Sequence, residues 1–252
     1  MSTNPVINLV AQQPDWPSFA GAPGQAIRKI VLGRTPGESG KDKKPLSILA
    51  LPADFGTLFP HLTHLYLWGI QALSALPELP PKLECLDVRD CPDVSAITSL
   101  PATLDTLVLE RCPQLSRLPE LTDRTFPKLR DLSLKSCAAI PESWVNEVLI
   151  ASPELSLFDA SDCPQLTHIT RWPATLDRID LNQCAALQAL PDEWPARLRR
   201  LGLRGSSALG QLPDFYNDWT RQRMDEKLDY VDLAGTRSLR SLPTHWGQPR
   251  FK

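Results

Sequence analysis

The sequence predicts an α/β solenoid, in which short parallel β-strands line a concave face. Mostly irregular or 3-10 segments, with one or two helices, return along the convex side. Three observations lead to this prediction: leucine fills 41 of the 252 positions, proline fills 25, about twice its usual share, and the two recur together at a short period. Because 42% of the residues are hydrophobic, the chain can bury a core, and its proline content does not indicate a disordered tail.

The strands are predicted from a hydrophobic phrase, L-x-x-L-x-L, that returns eight times with conservative replacements. Successive copies lie 21 to 30 residues apart and begin at Leu62, Leu83, Leu104, Leu129, Leu155, Leu176, Leu198 and Leu228; a ninth, weaker copy begins at Ile27. Side chains alternate across a strand, so the hydrophobic positions point into the core and the residues between them point outward. A single copy cannot bury its apolar face, and we therefore expect the copies to stack as a parallel sheet.

The segments between the strands are predicted to be return legs that run outside the sheet. Proline is tolerated there because its missing N–H removes no bond between strands. Two return legs are long enough for helices, at Glu142 to Ala151 and at about Asn217 to Lys227.

The complete phrase resembles the leucine-rich repeat family, L-x-x-L-x-L-x-x-(N/C)-x-L. The resemblance covers residues 62–243 firmly and 27–61 loosely, and it implies a horseshoe with a parallel β-sheet on its concave face. The sequence L-P-E-L-P-P-K-L at 76–83 is similar to the short Pro-rich repeats of bacterial secreted effectors of the IpaH, YopM and XopL groups. The phrase Cys-x-x-Leu-x-x-Leu-Pro also resembles repeats of plant immune receptors. The effector resemblance implies a virulence protein that binds a host protein.

We predict four segments from this pattern. Residues 1–26 form an N-terminal extension or cap, residues 27–61 an irregular first repeat with a loop insertion, residues 62–243 eight repeats, and residues 244–252 a C-terminal tail. The first 25 residues are rich in Pro, Ser and Gln, a composition compatible with a type III secretion signal and equally with a frayed terminus or a cap.

Charge and hydropathy argue against several classes of protein. The net charge is −2 and no basic stripe is present, so we expect no nucleic-acid partner. No apolar run approaches the roughly 20 residues of a membrane span, and no cleavable signal peptide is recognisable at the start. The expected location is the cytoplasm, or a host cell reached through a type III-like system.

Five of the six cysteines occupy one repeat position. They are Cys91, Cys112, Cys137, Cys163 and Cys184, and Ser206 and Thr236 continue the column. We expect these side chains to be reduced and buried, each donating to backbone carbonyls within its own turn. The sixth, Cys85, is predicted to face outward, either as a reactive thiol or as an ordinary small surface residue.

We predict no cofactor, no metal site and no catalytic residue. No Cys/His spacing suits a metal, and Gly33 to Lys41 fails as a phosphate-binding loop, because Thr35 stands where the first glycine is needed and Asp42 where the hydroxyl is needed. The chain is therefore expected not to be an enzyme. The alternative is the substrate-recognition domain of an effector-type E3 ubiquitin ligase whose catalytic domain is absent from this chain.

Recognition of a protein partner is therefore expected on the outward positions of the strands. Each strand has three outward positions, and the middle positions of successive strands form a column that contains a row of carboxylates. Arginines lie beside this row, and the aromatic residues are predicted to be exposed binding anchors. The candidate residues are His64, Tyr66, Trp68, Asp87, Arg89, Glu110, Asp159, Asp180, Arg178, Arg200, Arg204, Tyr230 and Asp232. The alternative is that they are solvated strand residues in which Asp and Arg pair across strands, or that the insertion at 33–61 covers the aromatics.

Self-association is a further possibility. The last predicted strand is followed by the short tail T-H-W-G-Q-P-R-F-K, a poor cap for an open solenoid. A homodimer through the C-terminal end is therefore also predicted.

Overall fold

Ten parallel strands form one curved sheet in a computed structural model that describes residues 6–9, 14–33, 46–47, 50–121, 125–195, 197–213 and 228–242. Numbered in chain order, the strands of this sheet are β1 (Val6–Leu9), β2 (Lys29–Gly33), β4 (His64–Trp68), β7 (Cys85–Arg89), β9 (Thr106–Glu110), β10 (Asp131–Ser133), β11 (Leu157–Asp159), β12 (Arg178–Asp180), β13 (Arg200–Gly202) and β14 (Tyr230–Asp232). Each strand pairs only with the strands of the adjacent repeats, in the order of the chain. The predicted solenoid with a parallel sheet is confirmed.

The strand register is the one that the leucine phrase predicts. Leu65 lies beside Leu86, which lies beside Leu107, and all three are fully buried. Strand β1, paired with β2, was not predicted because Val6–Leu9 carries no leucine phrase. The sheet therefore begins one strand earlier than the sequence indicates.

Short elements close the N-terminal end of the core. They are a 3-10 helix at Trp16–Phe19, helix α1 at Ala22–Ala26 and helix α2 at Phe55–Leu58. The Trp16 indole packs edge-on against Phe55, with ring centroids 5.8 Å apart, and Phe59 completes the cluster. These rings cover the leucines of the first repeats.

The chain leaves each strand through a residue with a left-handed backbone. This residue is Gly69, Asp90, Arg111, Ser136, Asp162, Gln183, Gly205 or Gly235, and each directly precedes the cysteine column or its equivalent. Its N–H bonds to the next repeat, as in Asp90 to the Glu110 carbonyl at 3.0 Å. The turns therefore stack one on another as regularly as the strands.

The cysteine column is buried and reduced, as predicted; four of its thiols bond to carbonyls of their own turns, as predicted, and all five also bond to the preceding repeat. The Cys137 thiol donates to the Leu109 carbonyl at 3.0 Å, and Cys184 donates to Ala160 at 3.1 Å. Both acceptors belong to the preceding repeat, because the thiol is long enough to reach the strand stacked beneath it. The column therefore links neighbouring repeats as well as closing single turns.

In the described residues the return legs contain two minor two-stranded sheets and, besides the short helix α2, a longer helix. Strand β3 (Leu46–Ser47) pairs with β5 (Ile70–Gln71), and β6 (Ala75–Leu76) pairs with β8 (Ala96–Ile97). The predicted helix at 142–151 is present as α3 (Glu142–Ala151), which buries Trp144, Val145, Val148 and Leu149. The helix predicted at 217–227 lies outside the described residues.

Candidate functional site

The concave face is built from the outward positions of the strands. In β4 the leucines Leu65 and Leu67 are buried, whereas His64, Tyr66 and Trp68 are partly exposed. The predicted middle column is in register across eight strands, and it comprises Tyr66, Asp87, Val108, Ser133, Asp159, Asp180, Gly202 and Asp232. The row of carboxylates along the sheet is therefore present in the structure.

Two of these carboxylates are more buried than their outward position suggests. Asp87 is 7% exposed and Asp180 is 9% exposed. The cause is the same in both: an arginine two residues away on the same strand forms an ion pair with the carboxylate. Arg89 Nε lies 2.7 Å from Asp87, although in β12 the arginine comes first, with Arg178 Nε 2.5 Å from Asp180. At these two positions aspartate pairs with arginine, as the alternative expects, but the pair forms within one strand and the carboxylate is shielded from solvent.

The ion pairs extend across four strands as a hydrogen-bonded network. The Trp68 indole N–H donates to Asp87 at 3.0 Å, and Arg89 also bonds to Glu110 at 2.9 Å. Ser133 in turn donates to Glu110 at 2.8 Å. Arg89 thus pairs both within its own strand and across to the next, and the network fixes the floor of the face from β4 to β10.

The aromatic residues are partly buried and engaged with one another, so the prediction of exposed anchors needs correction. The His64 and Tyr66 rings stack at 6.2 Å, and the Tyr66 and Trp68 rings meet at 5.1 Å. The Lys29 ammonium lies 4.7 Å from the centre of the Tyr66 ring. Burial, followed by the nearby Cys85, raises the pKa of Tyr66 to about 12.

The C-terminal part of the face is arginine-rich and more open. Tyr230 is 46% exposed, and the Arg200 guanidinium lies 5.2 Å from the centre of its ring. Arg204 Nε lies 2.9 Å from Asp232, which also accepts the Ala234 N–H. The Ala234 N–H and, after it, Arg204 hold the pKa of Asp232 below its usual range. Of the predicted aromatic anchors, Tyr230 is the most accessible.

A groove of about 780 Å³ runs along the concave face from β4 to β12. Eight predicted residues line it: His64, Tyr66, Asp87, Arg89, Glu110, Asp159, Arg178 and Asp180. Trp68, Arg200, Arg204, Tyr230 and Asp232 are not among its lining residues. The structure places the predicted site residues on one face, but it divides them between the groove and the arginine-rich end.

The groove also contains residues that were not predicted as binding candidates. Asp131 and Leu157 occupy outward strand positions, while Glu84, Asp105 and Lys128 precede their strands. Side chains alternate between inward and outward positions only within a strand. The sequence pattern therefore could not predict that Glu84, Asp105 and Lys128 line the groove.

Cys85 lies in the groove and is half-buried. Burial is the main cause that raises the pKa of its thiol above the usual value, and Tyr66 opposes this through a hydrogen bond. A raised pKa disfavours the thiolate, which is the nucleophilic form. The geometry favours a small packing residue here over a reactive one.

Several other expectations concern what is absent. In the described part of the chain, no cluster of three or more His, Cys, Asp or Glu side chains could hold a metal ion. None of the helices assigned within those ranges is long and apolar enough to cross a membrane. About half of the insertion expected to cover the aromatics, namely residues 34–45 and 48–49, lies outside the described residues.

The stacked parallel strands, the buried leucine phrase and the concave groove define a leucine-rich repeat solenoid. No protein-family model matches the sequence, and no curated protein matches it either. Solved structures that match include the leucine-rich repeat domain of the type III effector XopL, at 22% identity and a TM-score of 0.42 over 80% of this chain and 71% of that one. YopM from Yersinia enterocolitica matches at 22% identity and a TM-score of 0.23, over 86% of this chain and 57% of that one.

Proposed function

We propose that this chain is a non-catalytic protein-binding module that holds its partner in the concave groove. The groove is the observation that carries the proposal, because it is an open, continuous cleft of about 780 Å³ on the face that no return leg occupies in the described residues. Six strands line it, which corresponds to a span of about 24 Å at roughly 4.8 Å between strands. That span suits a polypeptide segment better than a small ligand.

The floor of the groove is preorganised for binding. Arg89 is held by both Asp87 and Glu110, and Arg178 is held by Asp180. Side chains that are already ordered lose little further entropy when a partner arrives. This fixed polar surface supports recognition of a particular partner.

The same geometry supports a non-catalytic role. Arginines hold three of the groove carboxylates in close ion pairs, and burial raises the pKa of the Cys85 thiol, which favours its protonated form. Neither arrangement provides an activated nucleophile beside a base.

We further propose that the module acts as a secreted bacterial effector on a host protein. The support is the resemblance of the Pro-rich phrase at 76–83 to effector repeats. Fusion of residues 1–26 to a translocation reporter tests this setting directly. Type III-dependent entry of the reporter into host cells is the expected result, and no entry would contradict it.

The binding proposal is tested by affinity capture with two matched variants. Thr106→Trp with Arg200→Glu fills the groove and reverses a charge in the arginine-rich end of the concave face, on the strand next to the groove. Gln165→Trp with Arg171→Glu introduces the same two residue types at exposed positions away from the strands. We expect partners to be lost by the first variant and retained by the second. Partners that both variants retain, or that both lose, would contradict a concave-face site.

A further inference from the structure

The surplus negative charge of the chain is concentrated in the groove. Its lining contains seven carboxylates against three lysines and arginines, an excess of four negative charges. The whole chain carries a net charge of only −2. The rest of the chain therefore carries an excess of two positive charges, and the groove is more negative than the chain as a whole.

Only some of the groove carboxylates form close ion pairs with arginines of the groove itself. Asp87, Glu110 and Asp180 form ion pairs of 2.5 to 2.9 Å with Arg89 or Arg178. The other four are Glu84, Asp105, Asp131 and Asp159. Among the described residues, the shortest ion pair that any of these four makes is 3.9 Å, between Asp105 and the exposed Arg130.

Asp131 and Asp159 are the pair at the centre of the groove. The register places Asp131 beside Leu157 and Ser133 beside Asp159, so the two aspartates are diagonal neighbours on β10 and β11. Strand spacing and rise place their Cα atoms about 8 Å apart. The half-buried Leu157 lies next to both, and it offers an apolar contact between two carboxylates.

Asp131 also lies beside a like charge. Burial and, after it, the neighbouring Asp105 raise the pKa of Asp131 above its usual range. The exposed Arg130 opposes this shift only in part, and a cation supplied by a partner removes the remaining repulsion. The arrangement is unfavourable in the free protein and favourable in a complex with a basic partner.

We propose that the groove binds an extended polypeptide segment carrying two basic residues at alternate positions, one facing Asp131 and the other facing Asp159. This inference rests on the proposed function and names its partner chemistry. Alternate side chains of an extended segment are about 6.6 Å apart, and the long side chains of lysine and arginine bridge the small difference from the roughly 8 Å between the aspartate Cα atoms. The aliphatic stem of a lysine or arginine packs on Leu157 while its charged end reaches a carboxylate.

The test is a selection from a displayed library of random peptides of about ten residues, long enough at roughly 3.3 Å each to cross the groove. The native chain is the target. Selected peptides are then synthesised and titrated against Asp131→Asn with Asp159→Asn, which removes two charges and retains the Oδ1 acceptor that bonds the Ser161 N–H. The matched control, Glu147→Gln with Glu154→Gln, removes two charges at exposed positions outside the groove.

We expect enrichment of peptides with lysine or arginine at alternate positions. Their affinity falls about tenfold, equivalent to about 1.4 kcal/mol, in the aspartate variant and stays unchanged in the control. The same affinity falls as salt is added, because screening weakens exposed charge pairs.

The other outcomes separate the two proposals. The inference is overturned if the selected peptides lack this pattern. It is also overturned if they bind the aspartate variant normally but do not bind Thr106→Trp with Arg200→Glu. Both outcomes remain consistent with a binding site on the concave face. Peptides that bind all variants equally, or a selection that yields no binder, overturn the inference and count against the proposed function.

Discussion

The Glu142 carboxylate at the start of helix α3 accepts a hydrogen bond from the Thr167 hydroxyl of the following repeat at 2.6 Å. The same oxygen accepts the backbone N–H groups of Thr167 and His168, at 2.5 and 3.0 Å. Elsewhere the return legs pair through their backbones, as in β6 with β8. Helix α3 interrupts that pairing, and a side chain replaces the missing backbone acceptor.

Removal of this acceptor is expected to destabilise the fold. In Glu142→Ala the partly buried N–H of Thr167 and the exposed N–H of His168 lose their partner, and the loss at Thr167 costs roughly 1–3 kcal/mol. The measurement is the free energy of unfolding from urea titration. Glu147→Ala is the control, because Glu147 is exposed on the same helix. Equal effects of the two substitutions would contradict the bridging role.

The Glu142 contribution is expected to depend on pH. Although burial raises its pKa, hydrogen bonds from Thr167 and His168 outweigh burial and hold the pKa below its usual range. A carboxyl with a lowered folded-state pKa stabilises the protein fully above its unfolded-state pKa of about 4.3, and this stabilisation is lost as the pH falls through the folded-state value. The stability difference between the native chain and Glu142→Gln should therefore shrink in acid. A stability difference between the two proteins that is constant from neutral pH to about pH 3 would contradict the predicted pH dependence.

Asp131→Asn is expected to stabilise the free protein. The raised pKa of Asp131 means that its charged form is disfavoured in the fold, by burial first and by Asp105 second. Asparagine removes the charge and preserves the shape, so the melting temperature at pH 7 should rise. The gain should diminish with added salt, which already screens the repulsion. A lower melting temperature would show that Asp131 has a favourable partner in the free protein.

The cysteine column predicts a contrast between two substitutions. The Cys184 thiol donates to the Ala160 carbonyl at 3.1 Å, and at the equivalent position the Ser206 hydroxyl donates to Leu181 at 2.7 Å. Cys184→Ser should therefore be tolerated, whereas Cys184→Ala loses the donor and should cost roughly 1 kcal/mol more. Unfolding in guanidinium chloride measures both. A serine variant less stable than the alanine variant would exclude the donor role.

The sequence was sufficient for the fold because leucine periodicity reports burial directly. Leu65, Leu86 and Leu107 are predicted from one phrase, and they stack in register. The same pattern predicts helix α3 from the one-face spacing of Trp144, Val145, Val148 and Leu149. Strand β1 escaped prediction because it joins the sheet without that phrase.

The site was harder to predict, because alternation gives the direction of a side chain and not its environment. Asp87 points outward as predicted, yet Arg89 and Trp68 enclose it. Asp105 contributes to the groove from a position before its strand, where alternation no longer applies. Both effects depend on contacts between repeats, which a single repeat does not encode.

The left-handed turn residues lead to a last prediction. Gln183 has φ of 61°, whereas the equivalent residues of the next two repeats are glycines, Gly205 and Gly235. A side chain in this region costs about 1–2 kcal/mol, which exceeds the entropy cost of roughly 0.5–1 kcal/mol that glycine carries. Gln183→Gly should therefore raise the free energy of unfolding by up to about 1 kcal/mol. Gln188→Gly is the control, because Gln188 is exposed and does not have a left-handed backbone conformation. This substitution should lower the free energy of unfolding. If both substitutions destabilise the chain equally, the Gln183 side chain must contribute packing that offsets its backbone strain.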